Sequence, residues 1–174
     1  GYAKALKDAL LATGKFRVIL TRWDDQFILL RDRTKYAKKA GADLFLSLHA
    51  DSAPTVKAQG LSIYTLSEEA TDAEAAALAA QENKADLIGG MDLTHQDRDV
   101  ANILIDLAQR DTKNKSIELA EQLIETMRGT VPLLPNTHRS AGFAVLKLPD
   151  TPSVLIEIGF LSNPQEEKLI QDPG

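Results

Sequence analysis

An acid set inside an apolar run constrains this chain more than any other feature. Residues 152–159 read Pro-Ser-Val-Leu-Ile-Glu-Ile-Gly, so Glu157 lies among side chains that demand burial. The segment is short and bounded by the Pro149-Asp150-Thr151-Pro152 turn and by Gly159, the pattern of a core strand. Burying an ionised carboxylate without a partner costs several kcal/mol or forces it to take up a proton. On these grounds two readings of Glu157 stay open. It is either a structural carboxylate paired with an arginine or a helix N-terminus, or a general base or metal-associated acid with a raised pKa.

A second short apolar run, Asp43-Leu44-Phe45-Leu46-Ser47-Leu48-His49-Ala50-Asp51, lies between Gly41 and Ser52 and also reads as a core strand. Open α/β sheets hold their ligands at the carboxyl ends of such strands, which makes His49 a candidate ligand or catalytic group. A packed or hydrogen-bonded histidine, with Asp51 capping the following loop, accounts for the same pattern. Spacing alone argues weakly for a metal site, because a catalytic zinc takes three protein ligands and the chain has only two other histidines. His95 and His138 fall in polar loops and read as surface residues.

The remaining pattern is that of an α/β fold. Ala3, Leu6 and Leu10 predict a helix from Tyr2 to about Ala12, ended by Gly14. A strand is expected over Phe16 to Thr21 and a helix over Leu29 to Ala40, with Tyr36, Ala37 and Ala40 inward. With the His49 strand these make a right-handed parallel crossover. Another strand is expected from Leu61 to Leu66. Thr71 and Glu74 have capping-box spacing for a helix from about Asp72 to Ile88, ending at Gly89-Gly90. Two core-facing helices follow, one on Val100, Ile103, Leu104, Leu107 and Ala108, the other on Ala120, Leu123, Ile124 and Met127. Residues 129–142 read as a loop and Phe143 to Lys147 as a short strand. Asn163, Pro164 and Glu166 cap a last helix.

The length of 174 residues suits one domain with a real core. A net charge of -5 argues against a nucleic-acid partner, since phosphate binding needs a clustered basic face. The basic positions Arg31, Arg33, Lys35, Lys38 and Lys39 lie at helical spacing and read as a solvated face. No apolar run approaches the roughly 20 residues of a membrane span. Without cysteine there is neither a disulfide framework nor a thiolate zinc site. Gly1 opens directly into a helix, so native residues, including any signal peptide, are expected upstream, and the end at Gly174 likewise reads as a cut.

Three segments together, Ala42 to Asp51, Gly142 to Lys147 and Pro152 to Asn163, resemble the zinc-dependent N-acetylmuramoyl-L-alanine amidases over essentially the whole chain. The resemblance implies a mostly parallel sheet flanked by helices. It implies hydrolysis of the amide between the muramic acid lactyl group and the first alanine of the peptidoglycan stem peptide. It also implies one catalytic zinc bound by two histidines and a glutamate. By that resemblance His49 is a zinc ligand and Glu157 the catalytic glutamate. The other two ligands of the family pattern lie upstream of Gly1, so these 174 residues alone are expected to bind zinc poorly and to be inactive.

Residues 67–128 further resemble the insertion of the periplasmic cell-division amidases of Gram-negative bacteria, in which a helical segment covers the active site until an activator removes it. That resemblance implies an autoinhibitory, zinc-approaching role for Glu82. It also implies a periplasmic location and a divisome-associated, LytM-type activator docking on the inserted helices. The apolar positions Ile103, Leu104, Ile105 and Leu107 are the expected docking surface, although tight core packing explains them equally well. The alternative function is a non-catalytic wall-binding or regulatory module that retains the fold.

Overall fold

The computed structural model describes residues 1–52, 59–88 and 103–171, with the side chains of 85–88 and 103–108 excepted. His95, Val100 and the expected docking side chains Ile103, Leu104, Ile105 and Leu107 therefore lie outside the described residues or side chains.

Among the described residues four strands form one sheet: β1 (Phe45–Asp51), β2 (Leu61–Leu66), β3 (Leu133–Ala141) and β4 (Ser153–Phe160), in the spatial order β1-β4-β2-β3. The β1–β4 and β2–β3 pairs are parallel and the β2–β4 pair is antiparallel, so the sheet is mixed with parallel pairing in the majority. The acid-bearing run of residues 153–160 is thus an inner strand, which is why both of its faces are apolar.

Period-2 alternation sorts the strand residues onto two faces. Leu46, Leu48, Ile63, Val154 and Ile156 pack against α4 (Ile103–Met127), whose Ala120 and Ile124 are buried. Phe45, Tyr64 and Leu155 pack on the other face against α2 (Leu30–Lys39) and α3 (Ala73–Ile88) through Leu30, Ala37, Ala75 and Ala79. Phe143 fills this core and meets Tyr64 edge-on, with ring centroids 5.3 Å apart. Two further helices flank the sheet, α1 (Tyr2–Ala12) and α5 (Pro164–Gln171). Segment 67–128 supplies Ala75, Ala79, Ala120 and Ile124 to the two cores, so it is part of the packing.

Several local expectations are corrected. The two helices expected between Val100 and Met127 run as one 25-residue helix over the described part, because no Gly or Pro interrupts residues 103–127. The expected loop over 129–142 contains β3, where Pro135 is tolerated because β3 is an edge strand. Residues 143–147 form a 3-10 turn over Ala144–Leu146 and not a strand. Residues 16–21 enter no described ladder, with Phe16 and Ile19 more than two-fifths exposed, so the expected crossover lacks its first strand here.

The start of α3 is also capped differently. The Asp72 carboxylate accepts from Ala75 N–H at 2.8 Å, while the Thr71 hydroxyl turns to Ser140 on β3. Glu74, the other half of the expected capping box, pairs instead with Arg139 at 2.8 Å. Tyr36 is exposed, and α2 buries Leu30 and Ala37 in its place. No described helix is long and apolar enough to cross a membrane.

Candidate active site

Alternation along β4 places Glu157 on the same face as Leu155, the face covered by α3. Alternation along β1 puts Ser47, His49 and Asp51 on that face beside Phe45. Parallel pairing sets His49 directly opposite Glu157, while antiparallel pairing on the other side sets Ser62 opposite Glu157. The two candidate residues, 108 positions apart in the chain, thus become neighbours across one ladder.

Glu157 is fully buried. Its Oε2 accepts from the Asp51 N–H at 3.2 Å, and its Oε1 has no hydrogen-bond partner among the described residues. Burial pushes the Glu157 carboxyl up to about 9, with the charges of Asp51 and Glu82 adding to the rise and the Asp51 N–H opposing it. Neither structural partner considered from the sequence, an arginine or a helix N-terminus, is on Glu157 in the described residues.

Helix α3 brings Glu82 down onto this face. Its Oε2 lies 2.9 Å from His49 Nδ1, with both side chains nearly buried. The other ring nitrogen, Nε2, meets the Ser47 hydroxyl at 2.9 Å, so in the neutral ring Nδ1 donates to Glu82 and Nε2 accepts from Ser47. Burial acts to raise the Glu82 carboxyl, but its hydrogen bond with His49, the His49 charge and a hydrogen bond with Asp51 together hold it below its ordinary value. Asp51 moves the other way, up to about 6, through burial and the Glu82 charge. Of the two carboxylates Asp51 therefore takes up a proton first as pH falls, and both are largely ionised at neutral pH.

Two side chains next to Glu82 fix its position. Gln81 Nε2 approaches Asp51 Oδ2 at 3.5 Å. Asn83 donates to the Gly142 carbonyl at 2.8 Å and accepts from the Ala144 N–H at 2.8 Å, which ties α3 to the segment before the 3-10 turn.

Sequence reasoning singled out His49, Glu157 and Glu82, and the structure brings all three together. It missed the contacts of Ser47, Gln81 and Asn83. The period-2 spacing of Ser47 from His49 was the available signal for the first of these. His138, expected on the surface, is instead on β3 between Thr65 Oγ1 and Glu121 Oε1, each at 3.1 Å. That group lies beyond β2, away from Glu157. Clefts of about 300 and 1000 Å³ open along α4, and neither is lined by His49 or Glu157.

The donor chemistry of this cluster fits only part of a zinc site. His49 offers one imidazole, but no group of three or more His, Cys, Asp or Glu among the described residues is placed to hold a metal. A catalytic zinc takes three protein donors. What the cluster can do unaided is hold and move protons, through a buried carboxyl with one free oxygen beside an imidazole.

A profile of the family described as N-acetylmuramoyl-L-alanine amidase matches residues 1–174. The chain is 42% identical over 152 residues to the N-acetylmuramoyl-L-alanine amidase AmiA of Salmonella typhimurium, covering 87% of this chain and 53% of that protein. It is 37% identical over 170 residues to AmiC of Escherichia coli, covering 97% of this chain and 40% of that protein. The chain thus spans about half, or less, of the length of these curated relatives. Among solved structures, the N-acetylmuramyl-L-alanine amidase Ami1 of Mycobacterium smegmatis shares the fold, with a TM-score of 0.62 at 16% identity over 99% of this chain and 66% of that one.

Proposed function

The chain belongs to the N-acetylmuramoyl-L-alanine amidase family, and from that premise we propose that it hydrolyses peptidoglycan at the amide joining N-acetylmuramic acid to the L-alanine of the stem peptide. The observation that carries this reading is Glu157, a fully buried carboxyl with one unpartnered oxygen, directly across a ladder from His49.

In the reaction Glu157 is the acid–base group. With Oε2 held by the Asp51 N–H, Oε1 is free to take a proton from the attacking water and to return it to the departing alanine nitrogen. A carboxyl raised to about 9 is protonated near neutrality and cannot begin as the base. A cation nearby lowers such a value, which supports one zinc ion in the working enzyme. His49 would hold it as one ligand among others, since no group of three donors is placed for a metal among the described residues. When bound, zinc supplies a Lewis acid for the carbonyl and lowers the pKa of water toward about 7.

The resting protein is shut by its own helix. Glu82 engages His49 Nδ1 at 2.9 Å, and α3 lies over the face where substrate has to approach. Asn83 holds that helix down. Opening requires α3 to leave, which suits a divisome-associated, LytM-type activator docking on the helices of segment 67–128. A peptidoglycan substrate is consistent with a periplasmic or extracellular location, and the resemblance of segment 67–128 to the Gram-negative amidases favours the periplasm.

The test is Glu157→Gln in the full-length protein. We expect release of stem peptides from purified cell wall to fall to background with zinc content unchanged. Hydrolysis at the parent rate would remove Glu157 from the reaction, and products cut within the peptide would replace the amidase by a peptidase.

A further inference from the structure

Glu166 sits at the third position of α5, where an acid ordinarily caps its own helix. It is 6% exposed, and its carboxylate reaches away from α5 to two backbone donors distant from each other in the chain. Oε1 accepts from Gly60 N–H at 2.6 Å and Oε2 from Phe160 N–H at 2.8 Å. Asn163 caps α5 without it, through Oδ1 to the Gln165 N–H at 3.0 Å.

The two donors stand at the ends of the strands that carry the site. Gly60 immediately precedes β2, two residues before Ser62, which pairs with Glu157. Phe160 ends β4 and pairs with Asp51. Between the His49–Glu157 and Asp51–Phe160 pairs, β1 advances two residues while β4 advances three, so β4 carries a bulge between them. Bulges beside active sites re-aim a backbone or a side chain.

This bulge is built around Gly159, whose φ of +147° favours glycine. A Cβ there would meet Glu166 Oε2 at 3.1 Å, so the carboxylate is seated against the bulge itself. Just past the bulge, Leu161 N–H donates to the Asp51 carbonyl at 2.8 Å, and the Asp51 N–H is thereby turned onto Glu157 Oε2.

We propose that Glu166 is a positioning residue: by clamping Gly60 and Phe160 it locks the β4 bulge that aims the Asp51 N–H at Glu157, leaving the other Glu157 oxygen free for the proton. The inference rests on the assignment of Glu157 as the acid–base group. Glutamine at 166 keeps the size but offers one acceptor in place of two, and its amide would face an N–H donor. One of the two clamps is then lost. Alanine at 159 keeps the carboxylate but displaces it from the bulge.

The experiment compares Glu166→Gln and Gly159→Ala with the parent in the full-length zinc-loaded protein, at temperatures where each is folded by circular dichroism. Steady-state hydrolysis of purified peptidoglycan is read together with hydrogen exchange at the Asp51 amide. We expect kcat to fall at least tenfold with KM within about twofold, and Asp51 exchange to speed up at least tenfold, in each variant that folds. Gly159→Ala carries the test if Glu166→Gln does not fold. Lower thermal stability with parental kcat and parental Asp51 exchange would overturn the proposal by reducing Glu166 to a structural role. Faster Asp51 exchange with unchanged kcat would uphold the clamp's geometry and overturn its part in catalysis. Parental hydrolysis by Glu157→Gln, run alongside, marks failure of the underlying assignment separately.

Discussion

Replacing Glu157 by Gln in the metal-free chain isolates the electrostatic cost of the buried carboxyl. Burial raises Glu157 from 4.5 to about 9. Between those values the folded state keeps the proton and the unfolded state loses it. The folded state then binds more protons, and stability must fall as pH rises. The loss is about 1.4 kcal/mol for each pH unit in that window, or about 3 kcal/mol by neutral pH. Gln has the same shape and no proton to lose. Its Oε1 can accept the Asp51 N–H as Glu157 Oε2 does at 3.2 Å. The variant and the parent should therefore be similar near pH 4.5 and diverge above it, the variant becoming more stable by about 3 kcal/mol at neutral pH and by more toward pH 9. Urea unfolding at a series of pH values, with a chelator present, measures this directly. Parallel stability curves across the window would refute the reasoning, since they would mean that Glu157 ionises in the fold at its ordinary value. Adding zinc to the full-length protein should shrink the difference, because a nearby cation favours the ionised carboxylate.

If α3 shuts the site, Glu82→Ala and Asn83→Ala in the full-length protein should each raise basal wall hydrolysis several-fold without activator, and unchanged rates in both would remove the regulatory reading. Loss of the Asp72 cap on the Ala75 N–H in Asp72→Ala should cost about 1 kcal/mol by urea unfolding; no change would mean that Thr71 can take over the cap. Leu155 is wholly buried in the core facing α2 and α3, and Leu155→Ala should cost about 2–5 kcal/mol in the same assay. A cost under about 1 kcal/mol would show that the sheet face collapses onto the gap.

Much of the chain could be read locally. Gly14 and Gly41 mark the ends of α1 and α2, Pro164 marks the start of α5, and the two apolar runs are β1 and β4 within a residue or two. Misreadings arose where an element takes its conformation from a partner. β3 has the Pro, Asn and Thr content of a loop and becomes a strand because β2 offers it a parallel ladder. Residues 16–21 have a strand's composition but meet no described ladder.

The candidate site divides in the same way. The sequence by itself determined that Glu157 would be buried and that His49 would end a strand, because hydrophobic patterning is a local property and an acid amid Val, Leu and Ile has nowhere else to go. Period-2 alternation also determined which residues accompany them on one face. Only the tertiary structure decided that β1 and β4 are neighbours in register, that Glu82 meets His49 across an approach from α3, and that Glu166 leaves its own helix to hold the bulge. Those facts depend on ladder pairing and helix docking between residues tens of positions apart, which no local pattern encodes.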